Sequence, residues 1–202
     1  MILTEEREKR FKEVIARRQR DLTIILENVH DPHNIGAVLR TCDAVGIHEI
    51  YVLYTEERLR KLKVKEGKSA SGASKWVKVN YFESRELCFQ QIRAKYKNIY
   101  ATHLSKESVS LHELNLNSSV ALLFGNEHDG ISQDSLNLCD GNYIIPMYGM
   151  VQSLNISVAC AVSIYEALRQ RDSNDKYKRE FDEEKVEHSS QFQEWYNRQL
   201  NR

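Results

Sequence analysis

What most limits the fold is a set of short apolar runs recurring between helical patterns. Residues 120–124 read Val-Ala-Leu-Leu-Phe without a polar break, and residues 22–26 and 50–54 are compact β-rich runs. A strand that is apolar on both faces needs cover on both faces, which is the situation in a parallel sheet flanked by helices. Further strands are expected near 76–79, 99–102 and 143–145. Helices are expected near 4–18, from about 35 to a stop at Gly46, near 83–95, shortly after Ser132, and over 154–170. Asn34 is expected to cap the second of these. The fold class is therefore α/β, with a mostly parallel sheet between helices.

The chain has 202 residues, enough for one domain with a sizeable core. Residues 1–172 read as that domain, opened by a basic helix, and residues 173–202 as a charged, helix-prone tail. The formal net charge is zero, so affinity for nucleic acid has to come from local patches. Arg10 and Arg18 belong to a basic stretch at the start. Arg58, Arg60, Lys61 and Lys63 belong to a second, which holds Glu66 as its single acid. Residues 58–74 read as a short helix and a loop.

The four cysteines lack C-x-x-C spacing, and most lie in apolar surroundings. Reduced, buried thiols in a cytoplasmic protein are expected. The N-terminal stretch is charged and lacks the apolar core of a secretory leader, and no apolar run is long enough to span a bilayer. His48 and His112 read as ordinary surface residues. No Ser-His-Asp order, paired-carboxylate pattern or metal-ligand spacing stands out, so no metal and no membrane partner is expected.

Three loops remain. Residues 28–34 join a strand end to a helix start, where open α/β sheets bind ligands. The segment FGNEHDG follows a buried strand, and its first glycine, Gly125, lets backbone approach a ligand closely. It matches neither a dinucleotide fingerprint nor a P-loop. The segment MVQSLNIS leads into the long helix, with Ser153 and Asn155 as possible caps or ligand contacts. Each loop taken alone also reads as simple capping or turn punctuation.

Together, NIGAVLR, FGNEHDG and MVQSLNIS resemble the three motifs of the SPOUT methyltransferases, and specifically the TrmH family of RNA ribose 2′-O-methyltransferases. The resemblance extends through RRQRDLTIILENVHDPHNIGAVLRTCDAVGIHEIYV, SGASKWV, ATHLS and IIPMYGMVQSLNISVACAVSIYEALRQR, covering about residues 4–172. It implies a C-terminal trefoil knot, a homodimer with a shared active site, and S-adenosylmethionine as methyl donor. Within the family, the subgroup acting on guanosine 18 of the tRNA D-loop is the nearest. Other tRNA positions, rRNA, or a non-catalytic RNA-binding module are the alternatives. By position, Thr102, Gly125, Ile145 and Leu154 would line the cofactor pocket. Asn34, Arg40, Glu127, Ser153 and Asn155 would form the catalytic set. Contacts to tRNA would come from the two basic stretches, His33, and Arg169 and Arg171. Arginine holds its proton, with a pKa above about 12. Arg40 is therefore expected to clamp phosphate and stabilise alkoxide charge, and His33 is an alternative proton acceptor. The acidic tail after Asp172 departs from the family pattern.

Overall fold

In the computed structural model, the structure describes residues 4–62, 73–178, 182–187 and 189–200. Seven strands form one sheet: β1 (Leu22–Glu27), β2 (Glu49–Leu53), β3 (Lys78–Phe82), β4 (Asn98–Thr102), β5 (Val109–Ser110), β6 (Val120–Phe124) and β7 (Gly141–Ile144). Their spatial order is β3-β2-β1-β6-β4-β7-β5, and each neighbouring pair is parallel. The adjacent interior strands β2, β1 and β6 are buried along their whole length, as their largely apolar character requires. The short edge strand β5 has no counterpart among the sequence expectations. Two residues carry no period to detect.

Helices cover both faces. α2 (Pro32–Val45) and α5 (Ile156–Asp172) pack over one core cluster that contains Ile35, Leu39, Cys42, Cys160 and Ile164. α3 (Arg85–Arg93) covers the other, with Cys88, Phe89 and Ile92 against Ile25, Tyr51 and Leu123. The short α4 (Gln133–Leu136) is capped by Ser132. All four cysteines are free, and burial pushes the Cys88 and Cys139 thiols up to about 12, so neither is a thiolate near neutral pH.

Several local expectations shift. The start of α2 is capped by Asp31, whose side chain accepts from the His33 N–H at 2.8 Å. Pro32 then takes the first helical position, where its missing N–H costs nothing. Asn34 therefore lies inside the helix rather than at its cap. Gly46 does end it, in the left-handed conformation at φ 86°. The expected strand near 76–79 starts later, because a 3-10 turn at Ala73–Lys75 precedes it. A 3-10 turn at Glu57–Leu62 opens the second basic stretch, and Lys63 lies outside the described residues.

Near the C-terminus, α6 (Glu183–Glu187) and α7 (Ser190–Leu200) return to α1 (Glu5–Ala16). Phe192 and Trp195 are buried against Phe11 and Ile15, with edge-on ring contacts from Phe11 and Trp76 to Trp195. No helix among the described residues is long and apolar enough to cross a membrane.

His48 is not a surface residue: its side chain is 21% exposed, beside Glu49. Burial pushes its pKa down to about 4, against the opposing pull of Glu49. Below its unfolded value the folded chain then binds fewer protons than the unfolded one. Stability should fall as pH drops from about 6.5 to about 4, and melting of His48→Gln should lose that part of the slope. An unchanged slope in the variant would assign it to other groups.

Candidate active site

Strands β4, β6 and β7 end side by side, and their carboxyl ends open into a cleft of about 930 Å³. That volume lies within the range of small-molecule sites, ~300–1,000 Å³. The position is physically expected, because chain connections diverge at the carboxyl edge of an open parallel sheet. Thr102 closes the end of β4, Gly125 follows β6, and Ile145 follows β7, while Leu154 comes from the segment before α5. All four expected cofactor residues line this one cleft, as do Glu127, Ser153 and Asn155.

The loop after β6 is tightly built. Asn126 and Gly130 exchange two backbone hydrogen bonds of 3.2 Å, with Gly130 at φ 68°. The buried Asn126 side chain accepts from the His128 and Asp129 N–H groups at 2.8 and 2.7 Å. This Asx turn leaves Glu127 exposed at the loop tip. Gly125 is required by the loop itself: a Cβ there would collide with the Gly130 backbone. Close approach to a ligand, the role the sequence suggests for that glycine, is not needed to explain it. Gly125→Ala should cost ~1–3 kcal/mol through overpacking, and should weaken cofactor binding by displacing the loop. Calorimetric melting together with titration of the cofactor checks both, and wild-type values would show that the loop yields freely.

The β6 loop is also anchored from below. Buried Glu27, at the end of β1, accepts from Ser132 N and Oγ at 3.1 and 2.8 Å and from Ser135 Oγ at 2.8 Å. Arg85 reaches the same carboxylate at 3.7 Å. Sequence reasoning missed Glu27 and Asn126. The Asn126–Gly130 spacing was a usable turn signal, but nothing local marks Glu27 as buried.

Three distant segments meet in one hydrogen-bonded chain. Asn34 Nδ2 donates to Glu127 Oε1 at 2.5 Å, and Asn155 Nδ2 donates to Asn34 Oδ1 at 3.3 Å. Asn155 caps α5, accepting from Ser157 N at 2.9 Å, so its amide orientation is set by the helix start. Glu127, Asn34 and Asn155 are thus held at the cleft without closing it. Ser153 lines the cleft and is exposed. Arg40 is exposed on α2, does not line the cleft, and has no ion pair or side-chain hydrogen bond among the described residues. A guanidinium so placed is available to an incoming anion.

The expected RNA contacts divide. Arg10, His33, Arg58 and Lys61 are exposed, and Arg60 is half-buried 3.6 Å from Glu83. Arg169 is exposed but holds Glu166 at 2.8 Å. Arg18 and Arg171 are corrections, because both side chains are 0% exposed. Arg18 bonds Asp43 and the Ile47 carbonyl, while Arg171 bonds Asp21, Gln19 and the Leu116 and Ser118 carbonyls. Both guanidinia are consumed in holding elements together. Among the described residues, no group of three or more His, Cys, Asp or Glu has metal-binding geometry.

Residues 21–165 match the family described as the SpoU rRNA Methylase family. The chain is 42% identical over 171 residues to the tRNA (guanosine(18)-2′-O)-methyltransferase of Escherichia coli (strain K12), spanning 85% of this chain and 73% of the relative. It is similar to the solved A. aeolicus TrmH/SpoU tRNA modifying enzyme, with TM-score 0.84, 36% identity, and 97% and 98% of the two chains covered. The SpoU methyltransferase AviRb from Streptomyces viridochromogenes, solved in complex with AdoMet, is also similar: TM-score 0.68, 27% identity, and 79% and 64% covered.

Proposed function

The chain belongs to the SpoU methylase family, and from that premise we propose that it methylates the 2′-hydroxyl of guanosine 18 in tRNA, using S-adenosylmethionine. The observation that carries this reading is the hydrogen-bonded chain Glu127–Asn34–Asn155, which gathers three distant segments at a cleft of cofactor size.

The cleft suits the cofactor. Apolar Phe124, Ile145 and Leu154 offer a wall for an adenine ring, and the strand-end backbone offers hydrogen-bonding groups beside it. Bound there, S-adenosylmethionine supplies a methyl group already activated on a sulfonium sulfur. Thr102, Gly125, Ile145 and Leu154 hold it. Asn34, Ser153 and Asn155 position the ribose, and Glu127 orients Asn34. Arg40 clamps an RNA phosphate and stabilises the alkoxide charge that develops as the hydroxyl loses its proton. Arg10, Arg58 and Lys61 fix the RNA through phosphates, which positions the substrate without reading its sequence.

Arg40 lies outside the cleft of its own chain, and a second copy can bring it to the cleft of the first. The apolar surface beside the site supports such a homodimer: Tyr148 is 99% and Met150 98% exposed, and Val158, Val162 and Tyr165 line the outer face of α5. Light scattering at micromolar concentration should give twice the 23.6 kDa chain mass, and a monomer would contradict the shared site. A trefoil-knotted C-terminal segment and a boundary between a domain at 1–172 and a tail at 173–202 belong to the same proposal. Membership of the family supports the knot.

The deciding experiment is incubation with methyl-labelled S-adenosylmethionine and tRNA, followed by nucleoside mapping. Label in 2′-O-methylguanosine at position 18 is expected. Label at another tRNA position, or only in rRNA, would replace the substrate assignment. Absence of cofactor binding with intact RNA binding would make the protein an RNA-binding module.

A further inference from the structure

The amino ends of the strands carry a second cleft, of about 230 Å³, at the opposite edge of the sheet from the first. Its floor is set by the starts of β2 and β3, where Glu49 and Lys78 are in register. Strands of five residues separate the two clefts by ~17 Å. α7 forms its wall, so the site exists only because the C-terminal tail docks on α1 through Phe192 and Trp195.

The charge of this cleft is one-sided. Its two acids are already matched: Glu49 by Lys95 at 2.8 Å, and Glu194 by Arg198 at 2.6 Å. Arg20, Lys75 and Lys78 remain, and among the described residues none of the three has an ion pair or a side-chain hydrogen bond. Three unpaired cations around a space this small repel one another unless an anion lies between them. A chain of zero net charge has no general cationic excess to account for them.

Two buried polar atoms at the same cleft lack a hydrogen-bond partner among the described residues, His48 Nδ1 and Gln191 Oε1. Buried polar groups are normally paired, so two orphans in one place mark a missing partner. Turning the Gln191 amide presents its N–H₂ to an anion. The cleft has room for a phosphate group, and the free donors are of the type that hold phosphate oxygens.

We propose that this cleft, built from Arg20, Lys75 and Lys78 and closed by α7, is a phosphate subsite for the backbone of the RNA substrate, distant from the site of methyl transfer. The proposal rests on the reading of the protein as a tRNA methyltransferase. The tail then completes a contact that anchors the body of the RNA while the target nucleotide occupies the other edge.

The test compares the full chain with the variant Arg20→Gln/Lys75→Gln/Lys78→Gln in tRNA binding over a range of salt concentrations. Three lost phosphate contacts should flatten the slope of log K against log salt by ~2–3. Affinity should weaken tenfold or more, while S-adenosylmethionine affinity is retained. Salt dependence and affinity equal to wild type would overturn the subsite. A second readout is the His48 ring signals in NMR. They should shift on adding tRNA in the wild type and not in the variant. Shifts with inorganic phosphate but none with tRNA would make this a free-phosphate site and overturn the RNA assignment. Because both readouts are binding measurements, tRNA bound through this cleft without methylation at position 18 would leave the subsite standing and remove only the activity.

Discussion

Arg40→Ala is expected to lower methyl transfer by ~10²–10³-fold, the usual loss when a group stabilising transition-state charge is removed. Cofactor affinity should be unchanged, because Arg40 does not line the cleft that holds Thr102, Gly125, Ile145 and Leu154. Arg40→Lys should recover only part of the rate. A lysine restores the charge but not the planar fork that grips phosphate at two points. Single-turnover rates with saturating tRNA, set beside calorimetric titration of the cofactor, separate these effects. Wild-type turnover in Arg40→Ala would take the residue out of the mechanism. A loss in kcat/KM that vanishes at saturating RNA would reduce its role to binding.

Arg171→Ala is expected to have the largest effect on stability. The guanidinium is fully buried and donates to Leu116 O, Gln19 Oε1, Asp21 and Ser118 O. Its removal would leave the Leu116 and Ser118 carbonyls and Gln19 Oε1 without that donor, while Asp21 keeps Lys176 at 2.7 Å. Unpaired buried acceptors cost ~1–3 kcal/mol each, about 3–5 kcal/mol together. For a chain of this size that corresponds to a melting temperature lower by about 10 °C. Differential scanning calorimetry measures it. Near-normal melting with a marked loss of tRNA affinity would instead return Arg171 to the RNA surface.

The contrast between these arginines shows how far local sequence reaches. Arg18, Arg40 and Arg171 look alike as letters in basic or helical stretches. One is exposed and unpaired, and two are sunk into the fold as struts. What separates them is the partner: Asp43 lies 25 residues from Arg18, and Asp21 lies 150 residues from Arg171. Contacts of that range are invisible to periodicity. The same holds for Glu27, whose hydroxyl partners lie more than 100 residues away. By contrast, the helix near 4–18, the Gly46 stop and the strand at Val120–Phe124 were legible, because each depends on residues within a few turns or one strand.

The sequence by itself determined the alternation of apolar strands and amphipathic helices, and hence a parallel sheet covered on both faces. It also determined the family, because three motifs in a set order specify far more than any one of them. The tertiary structure alone decided which polar residues meet. It placed Asn34 between Glu127 and Asn155, showed that Gly125 answers to the Gly130 backbone, and folded the tail onto α1 to close a basic cleft. The physical reason is range. Strand and helix patterns arise from backbone geometry over a few residues. Polar networks and charge clusters arise from side chains that come together only after the core has closed.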